Sequence, residues 1–268
     1  MPLYDLKSAD SFSTLVEDVV ELVARNPVPW DADIQADAVE ARCTERSLMA
    51  VFSAIMDINA EENGKETWIC KSLQNVNFLD QISAHPSQQR KFIYLYRDGR
   101  DVCLSFMKAP VGHKTVYHIA KQWHAEQQKA LKFREAHPDQ VISISYEELT
   151  SAPQQSLQRI CAFMEIEYSE KMLEFHSSTE AAATAQGGAM WGNVTKPIQQ
   201  SNTKKWLKQM DPFDLRVFEE VAGDSLVQLG FDLHTASTEE SVISEEFVSK
   251  MQIQNAELKA QFGEDLSQ

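Results

Sequence analysis

The stretch from Lys91 to Met107, KFIYLYRDGRDVCLSFM, changes character three times within a few residues and constrains the fold more than any other segment. Phe92 to Tyr96 is an unbroken apolar and aromatic run of strand length, the pattern of a strand buried on both faces of a parallel sheet. It ends abruptly in charge. Arg97 stands where the strand emerges, Gly99 permits a tight turn, and Asp101 is the expected N-cap of a helix carrying Val102, Leu104, Ser105 and Phe106. Strand, turn and helix start in that order outline an α/β domain. Ligands of open α/β sheets collect outside the carboxyl ends of strands, and helix N-termini offer unpaired amides to anions. An arginine at that place predicts a phosphate. The plainer reading makes Arg97 an ion-pair partner of Asp98 or Asp101 at the helix start and Ser105 a bland helical hydroxyl.

A length of 268 residues suits one α/β domain with an appended segment. With 43% hydrophobic and 24% charged residues, a sizeable core is available. The formal net charge of -15 argues against nucleic acid and anionic membranes as partners, since both would be repelled over most of the molecule. Basic residues must then be concentrated wherever a polyanionic small molecule binds. Cys43, Cys70, Cys103 and Cys161 show no C-x-x-C spacing and read as reduced thiols, most of them buried. His113, His118 and His124 lack companions at metal-ligand spacing, so no metal is expected. No signal peptide precedes Asp5 and no apolar run reaches membrane-spanning length, which predicts a soluble, cytoplasmic chain.

Taken in order, Phe12, Leu15, Val16, Val19, Leu22 and Val23 mark one helical face ended by Asn26, Pro27 and Pro29. A second stripe, Leu48, Val51, Phe52, Ile55 and Met56, completes a helical cap over residues 1–62. Gly64-Lys65 lacks the first glycine of a phosphate loop and precedes a strand, so it reads as a turn. Thr67 to Cys70 predicts a short buried strand with Lys71 at its end, a position that suits either a functional cation or a solvated one. A long helix from about His118 to Glu135 is followed by a strand over Val141 to Tyr146, then by a helix capped by Thr150 or Ser151 with Pro153 in its first turn. Residues 177–195, with Gly187-Gly188, predict a mobile loop. Lys196, Lys204, Lys205 and Lys208 gather next in an otherwise acidic chain, before a helix opened by Asp211-Pro212 and stopped by Gly230. The expected division is an α/β domain over 1–233 and an acidic linker with an amphipathic helix over 234–268, whose apolar face suits the domain or a second copy of the chain.

RDGRDVCLSF resembles the 3′-phosphate-binding segment of the sulfotransferases, which use 3′-phosphoadenosine 5′-phosphosulfate (PAPS) as sulfuryl donor. The likeness is to the tyrosylprotein-type and bacterial members and runs from about Asn26 to Phe231. It implies that Arg97 and Ser105 hold the 3′-phosphate of the donor. SYEEL resembles the motif whose tyrosine, here Tyr146, lies against the nucleotide. The segment from Thr195 to Trp206 is similar to the nucleotide-closing loop, with Lys205 as the phosphate-contacting lysine and Lys196-Pro197 also matching. WICKS implies that Lys71 faces the transferred group as the catalytic lysine. The fold so implied is a P-loop-NTPase-like three-layer sandwich with a mainly parallel central sheet, and the partners are PAPS and a small-molecule or peptide acceptor. Arginine offers a planar fork of donors to phosphate oxygens, and lysine a compact charge suited to the bridging oxygen as sulfuryl leaves.

The sequence departs from that pattern at its beginning. A loop of the kind P-[KR]-[ST]-G-[ST]-[ST], which cradles the 5′-phosphosulfate, is absent, so the sheet is expected to lack its first strand. Leu73 stands where cytosolic members have their histidine base. Two readings follow: a sulfotransferase, or a binding module that keeps the 3′-phosphoadenosine half of the site. A phosphate-loop kinase is disfavoured because G-x-x-x-x-G-K-[ST] does not occur.

Overall fold

The computed structural model describes residues 3–26, 30–85, 90–186, 189–235 and 240–265. The chain divides into two compact units, Met1–Gln89 with Thr179–Trp191, and Arg90–Ser178 with Gly192–Gln268.

In the first unit, helix α1 (Ala9–Ala24) is opened by Ser8, whose hydroxyl accepts from the Ser11 amide. Helices α2 (Ala36–Arg42) and α3 (Leu48–Glu62) follow, and Ser47 caps α3 in the same way. Phe12, Leu15 and Val16 of α1 meet Val39 of α2 and Val51, Ile55 and Ile58 of α3 in one buried cluster. Pro27 and Pro29, expected to end α1, lie outside the described residues. The strand predicted over Thr67 to Cys70 does not form. The segment is irregular and has no ladder partner among the described residues, and Trp68 is tied instead to α3 by its indole N–H to Asp57 at 2.8 Å and its edge on Phe52. Lys71 is therefore an exposed residue of an irregular segment, ahead of a 3₁₀ turn at Leu73–Asn77 and helix α4 (Leu79–Ala84).

In the second unit, strands β1 (Phe92–Tyr96) and β2 (Val141–Ser145) pair in parallel, from Phe92 opposite Val141 to Tyr96 opposite Ser145. Between them run α5 (Gly99–Phe106) and the long α6 (Val116–Ala136), the crossover that a parallel pair requires. Phe92, Tyr94 and Tyr96 share one face of β1; Phe92 meets Phe133 of α6, and the tyrosines pack on the core. Leu95, on the other face, remains 53% exposed, so β1 is not buried on both faces as its apolar run predicts. Tyr146 does not extend β2. It opens α7 (Tyr146–Ser151), because the Ser145 hydroxyl caps that helix by accepting the Glu148 amide. Pro153 opens α8 (Pro153–Met164) directly after Ala152, so neither Thr150 nor Ser151 caps it.

The region expected to be a mobile loop is mostly helical. A 3₁₀ segment at Glu170–Ser177 leads to α9 (Thr179–Gln186) and another 3₁₀ segment at Ala189–Thr195. The alanines from Ala181 to Ala185 supply helix propensity that outweighs the absence of an apolar stripe. Gly187-Gly188 lies outside the described residues.

Helix α10 (Trp206–Gln209) precedes α11 (Pro212–Gln228), which Asp211 caps. Gly230 stops α11 in left-handed backbone, φ 82°, so that the Phe231 amide returns to the Leu226 carbonyl. Val217, Phe218, Ala222 and Leu226 of α11 and Ile119, Trp123 and Leu131 of α6 form the centre of the core. Helix α12 (Glu245–Asp265) packs through Phe247 on Tyr117 and Phe213 and through Asn255, whose side-chain oxygen accepts the Lys114 amide at 2.8 Å. Among the described residues no helix is long and apolar enough to cross a membrane.

Candidate functional site

The site is built where β1 ends. Asp98, not Asp101, caps α5, accepting the Arg100 amide at 2.9 Å. Gly99 takes the first helical place because that turn is pressed onto the core: a β-carbon there would sit 2.6 Å from Phe218 and 2.7 Å from Trp123. Asp101 is thereby released from capping. Its carboxylate is fully buried and accepts the Lys204 amide at 2.7 Å and the Trp206 amide at 3.0 Å, from a segment over a hundred residues away. Lys205 lies between those two amides, at the start of α10.

Arg97 leaves the tip of β1 and is 18% exposed, with its Nη2 3.7 Å from the Asp101 carboxylate and donating to the Asn202 carbonyl. Its guanidinium carbon stands 4.6 Å from the centre of the Tyr146 ring, at the tip of β2. The Tyr146 hydroxyl accepts from the Asn202 side-chain amide at 3.0 Å. Parallel pairing thus puts Arg97 and Tyr146 at neighbouring strand ends, and the 202–206 segment is fastened to both. Ser105 lies one turn beyond Asp101 on the same helix, exposed, its hydroxyl donating to the Asp101 carbonyl at 3.0 Å. Lys196 is exposed and its ammonium is held by Asn193 at 2.9 Å. Lys71 belongs to the first unit. The structure therefore brings together Arg97, Tyr146 and the backbone of Lys205; Ser105 joins them only through the Asp101 carbonyl, and the Lys196 ammonium pairs with Asn193.

Several residues around this cluster carry no signal in the sequence. Arg100 is 2% exposed and bridges two buried carboxylates, forking onto Asp98 at 2.9 and 2.8 Å and reaching Glu219 of α11 at 2.6 Å. It also donates to the Asp232 carbonyl and stacks 3.6 Å from the centre of the Trp206 ring. Glu219 in turn takes the amides of His234 and Thr235. Nothing in RDGRD singles out Arg100, because Glu219 and Trp206 lie over a hundred residues further along the chain. Glu147 is half-buried: one carboxylate oxygen accepts the Asp98 amide at 3.2 Å, the other has no hydrogen-bond partner, and burial pushes its pKa above the ordinary glutamate range. Arg97 Nε is likewise buried without a partner. Its guanidinium therefore retains capacity for an acceptor such as a phosphate oxygen. Among the described residues no three of His, Cys, Asp and Glu gather as a metal-binding group.

A sequence model of the Sulfotransferase family matches residues 6–170. A Caenorhabditis briggsae protein assigned by name to the protein-tyrosine sulfotransferases is 30% identical over 164 residues, which is 58% of this chain and 58% of that protein. The match therefore spans little more than half the length of that relative. Among solved structures, the chain is similar to a sulfotransferase domain from the curacin biosynthetic pathway, with a TM-score of 0.56 and 20% identity over 87% of this chain and 83% of that one. It is also similar to a sulfotransferase domain from the olefin synthase of Synechococcus PCC 7002, with a TM-score of 0.51 and 18% identity over 84% and 76% of the two chains. With the family match covering more than half of its residues, this chain belongs to the sulfotransferase family.

Proposed function

We propose that the chain transfers a sulfuryl group from PAPS to a hydroxyl or amine acceptor, on a P-loop-like α/β sandwich. The observation that carries this reading is the convergence of Arg97, Tyr146 and the segment leading to Lys205 at the tips of β1 and β2. The donor set suits a 3′-phosphate. Arg97 supplies a planar fork with a buried, unpartnered Nε, Ser105 supplies a hydroxyl, and Lys205 supplies a point charge, in a chain whose net charge of -15 would otherwise repel an anion. Tyr146 offers a ring face to the nucleotide, and Lys196 stands in the segment that would close over it. PAPS, when bound, supplies the activated sulfuryl group; the protein's own residues bind its phosphate, orient the donor and exclude water. Lys71 is proposed as the lysine facing the transferred group, where a compact charge would stabilise the bridging oxygen as it leaves. By name, the Caenorhabditis briggsae relative sulfates a protein tyrosine, which makes a peptide phenol the first acceptor to test.

The test is transfer of label from sulfur-labelled PAPS to a tyrosine peptide, a simple phenol, an alcohol and an amine. Labelled product from any acceptor is the expected result. Nucleotide binding without transfer to any of them would favour the second reading, a binding module that keeps the 3′-phosphoadenosine half of the site.

A further inference from the structure

We propose that Asp101 is the positioning residue of the nucleotide-closing segment: its buried carboxylate holds Lys204 in left-handed backbone and so fixes Lys205 on the side of Arg97. The inference rests on the reading that Arg97 and Lys205 grip one 3′-phosphate. Its own observations are separate from that reading.

Asp101 stands where a helix cap is expected but leaves that task to Asp98. It is fully buried, and both of its oxygens are committed to amides of the distant segment, Oδ2 to Lys204 and Oδ1 to Trp206. Lys204 has φ 55°, a left-handed conformation that a lysine seldom adopts and that surrounding contacts must hold in place. Lys205, between the two tethered amides, has ordinary helical backbone, φ -65° and ψ -32°. The same Oδ2 faces Arg97 Nη2 at 3.7 Å. One carboxylate thus sets the distance between the strand-tip arginine and the backbone of the lysine cluster. A negative charge so near an anion site would weaken binding if it faced the ligand. Here its oxygens point to backbone amides, which satisfy it in place.

Positioning and charge make opposite predictions for Asp101→Asn. If charge alone mattered, removing it would strengthen binding of adenosine 3′,5′-bisphosphate. Positioning predicts a loss of about tenfold or more, because the asparagine amide cannot accept from one of the two N–H groups. The loss should largely vanish when Lys205→Ala is already present, since both act through the same contact. Adding Lys204→Gly to Asp101→Asn should restore part of the affinity, because glycine takes positive φ without help. Lys204→Pro, an exposed change that removes the amide and forbids positive φ, should reproduce the loss should Asp101→Asn fold poorly.

Amide hydrogen exchange in nucleotide-free protein gives the independent arm. Exchange at Lys204 and Trp206 should rise at least about tenfold in Asp101→Asn while the α6 and α11 amides keep their protection. Unchanged exchange at these amides, an affinity that holds or improves, or losses that simply multiply with Lys205→Ala would overturn the proposal. A wild-type protein that binds no nucleotide, or binds it equally well with Arg97→Ala, would instead defeat the functional reading and leave the exchange result standing on its own.

Discussion

The guanidinium carbon of Arg97, at the tip of β1, stands 4.6 Å from the centroid of the Tyr146 ring at the tip of β2. Asn202 touches both, its backbone carbonyl accepting from the arginine and its side-chain amide donating to the tyrosine hydroxyl. The parallel register that sets Tyr96 opposite Ser145 makes the residues that follow each strand neighbours. The guanidinium at one strand tip and the ring face at the other therefore meet because of strand pairing.

Beneath this layer, Arg100 holds α5, α11 and the chain after α11 together. It is the countercharge of Asp98 and Glu219, which are 6% and 1% exposed. Arg100→Met would leave both carboxylates buried without their partner, at an expected cost of about 3–5 kcal/mol in denaturant unfolding. Trp206, which stacks on Arg100, should shift its emission in the same variant. A cost below about 1 kcal/mol would mean that solvent reaches these carboxylates far more readily than their burial implies.

Gly99 permits the close approach of α5 to the core. Gly99→Ala drives a methyl group into Phe218 and Trp123, with contacts of 2.6 and 2.7 Å before relaxation, and should destabilise by about 1–3 kcal/mol through overpacking. Gly192→Ala is the control: nothing lies within 4 Å of its added methyl, so its thermal midpoint should stay near that of the wild type.

Glu147 gives the site a pH signature. Burial raises its folded pKa above the unfolded value, so the native state binds its proton more tightly than the unfolded chain does. The associated stability is fully present below the unfolded pKa, about 4.3 for a glutamate, and is lost as pH rises through the folded pKa. Wild type minus Glu147→Gln should therefore show unfolding free energy falling with rising pH across that window. A difference that is flat or rises with pH would place the carboxyl in contact with water or a cation.

The segment from Phe92 to Phe106 was legible because hydrophobic run, arginine, glycine and helix pattern follow one another locally. Helices α1, α3, α6 and α11 were legible for the same reason, each carrying an apolar stripe and a stop or cap within a few residues. What could not be read depends on distant partners. Asp101 looks like a cap but commits its carboxylate to Lys204 and Trp206, and Arg100, which no local pattern singles out, is buried between Asp98 and Glu219. The strand expected over Thr67 to Cys70 failed for the converse reason. Its pattern was four residues long, and Trp68 found its partners on α3 instead of in a ladder.

Calorimetric titration of the wild type and Arg97→Ala with adenosine 3′,5′-bisphosphate tests the central claim most directly. Loss of the charge-assisted contact should weaken binding by about 2 kcal/mol or more, roughly thirtyfold, with the fold intact by circular dichroism. Equal affinity in the two proteins would contradict the assignment of the β1 tip as the nucleotide's phosphate site.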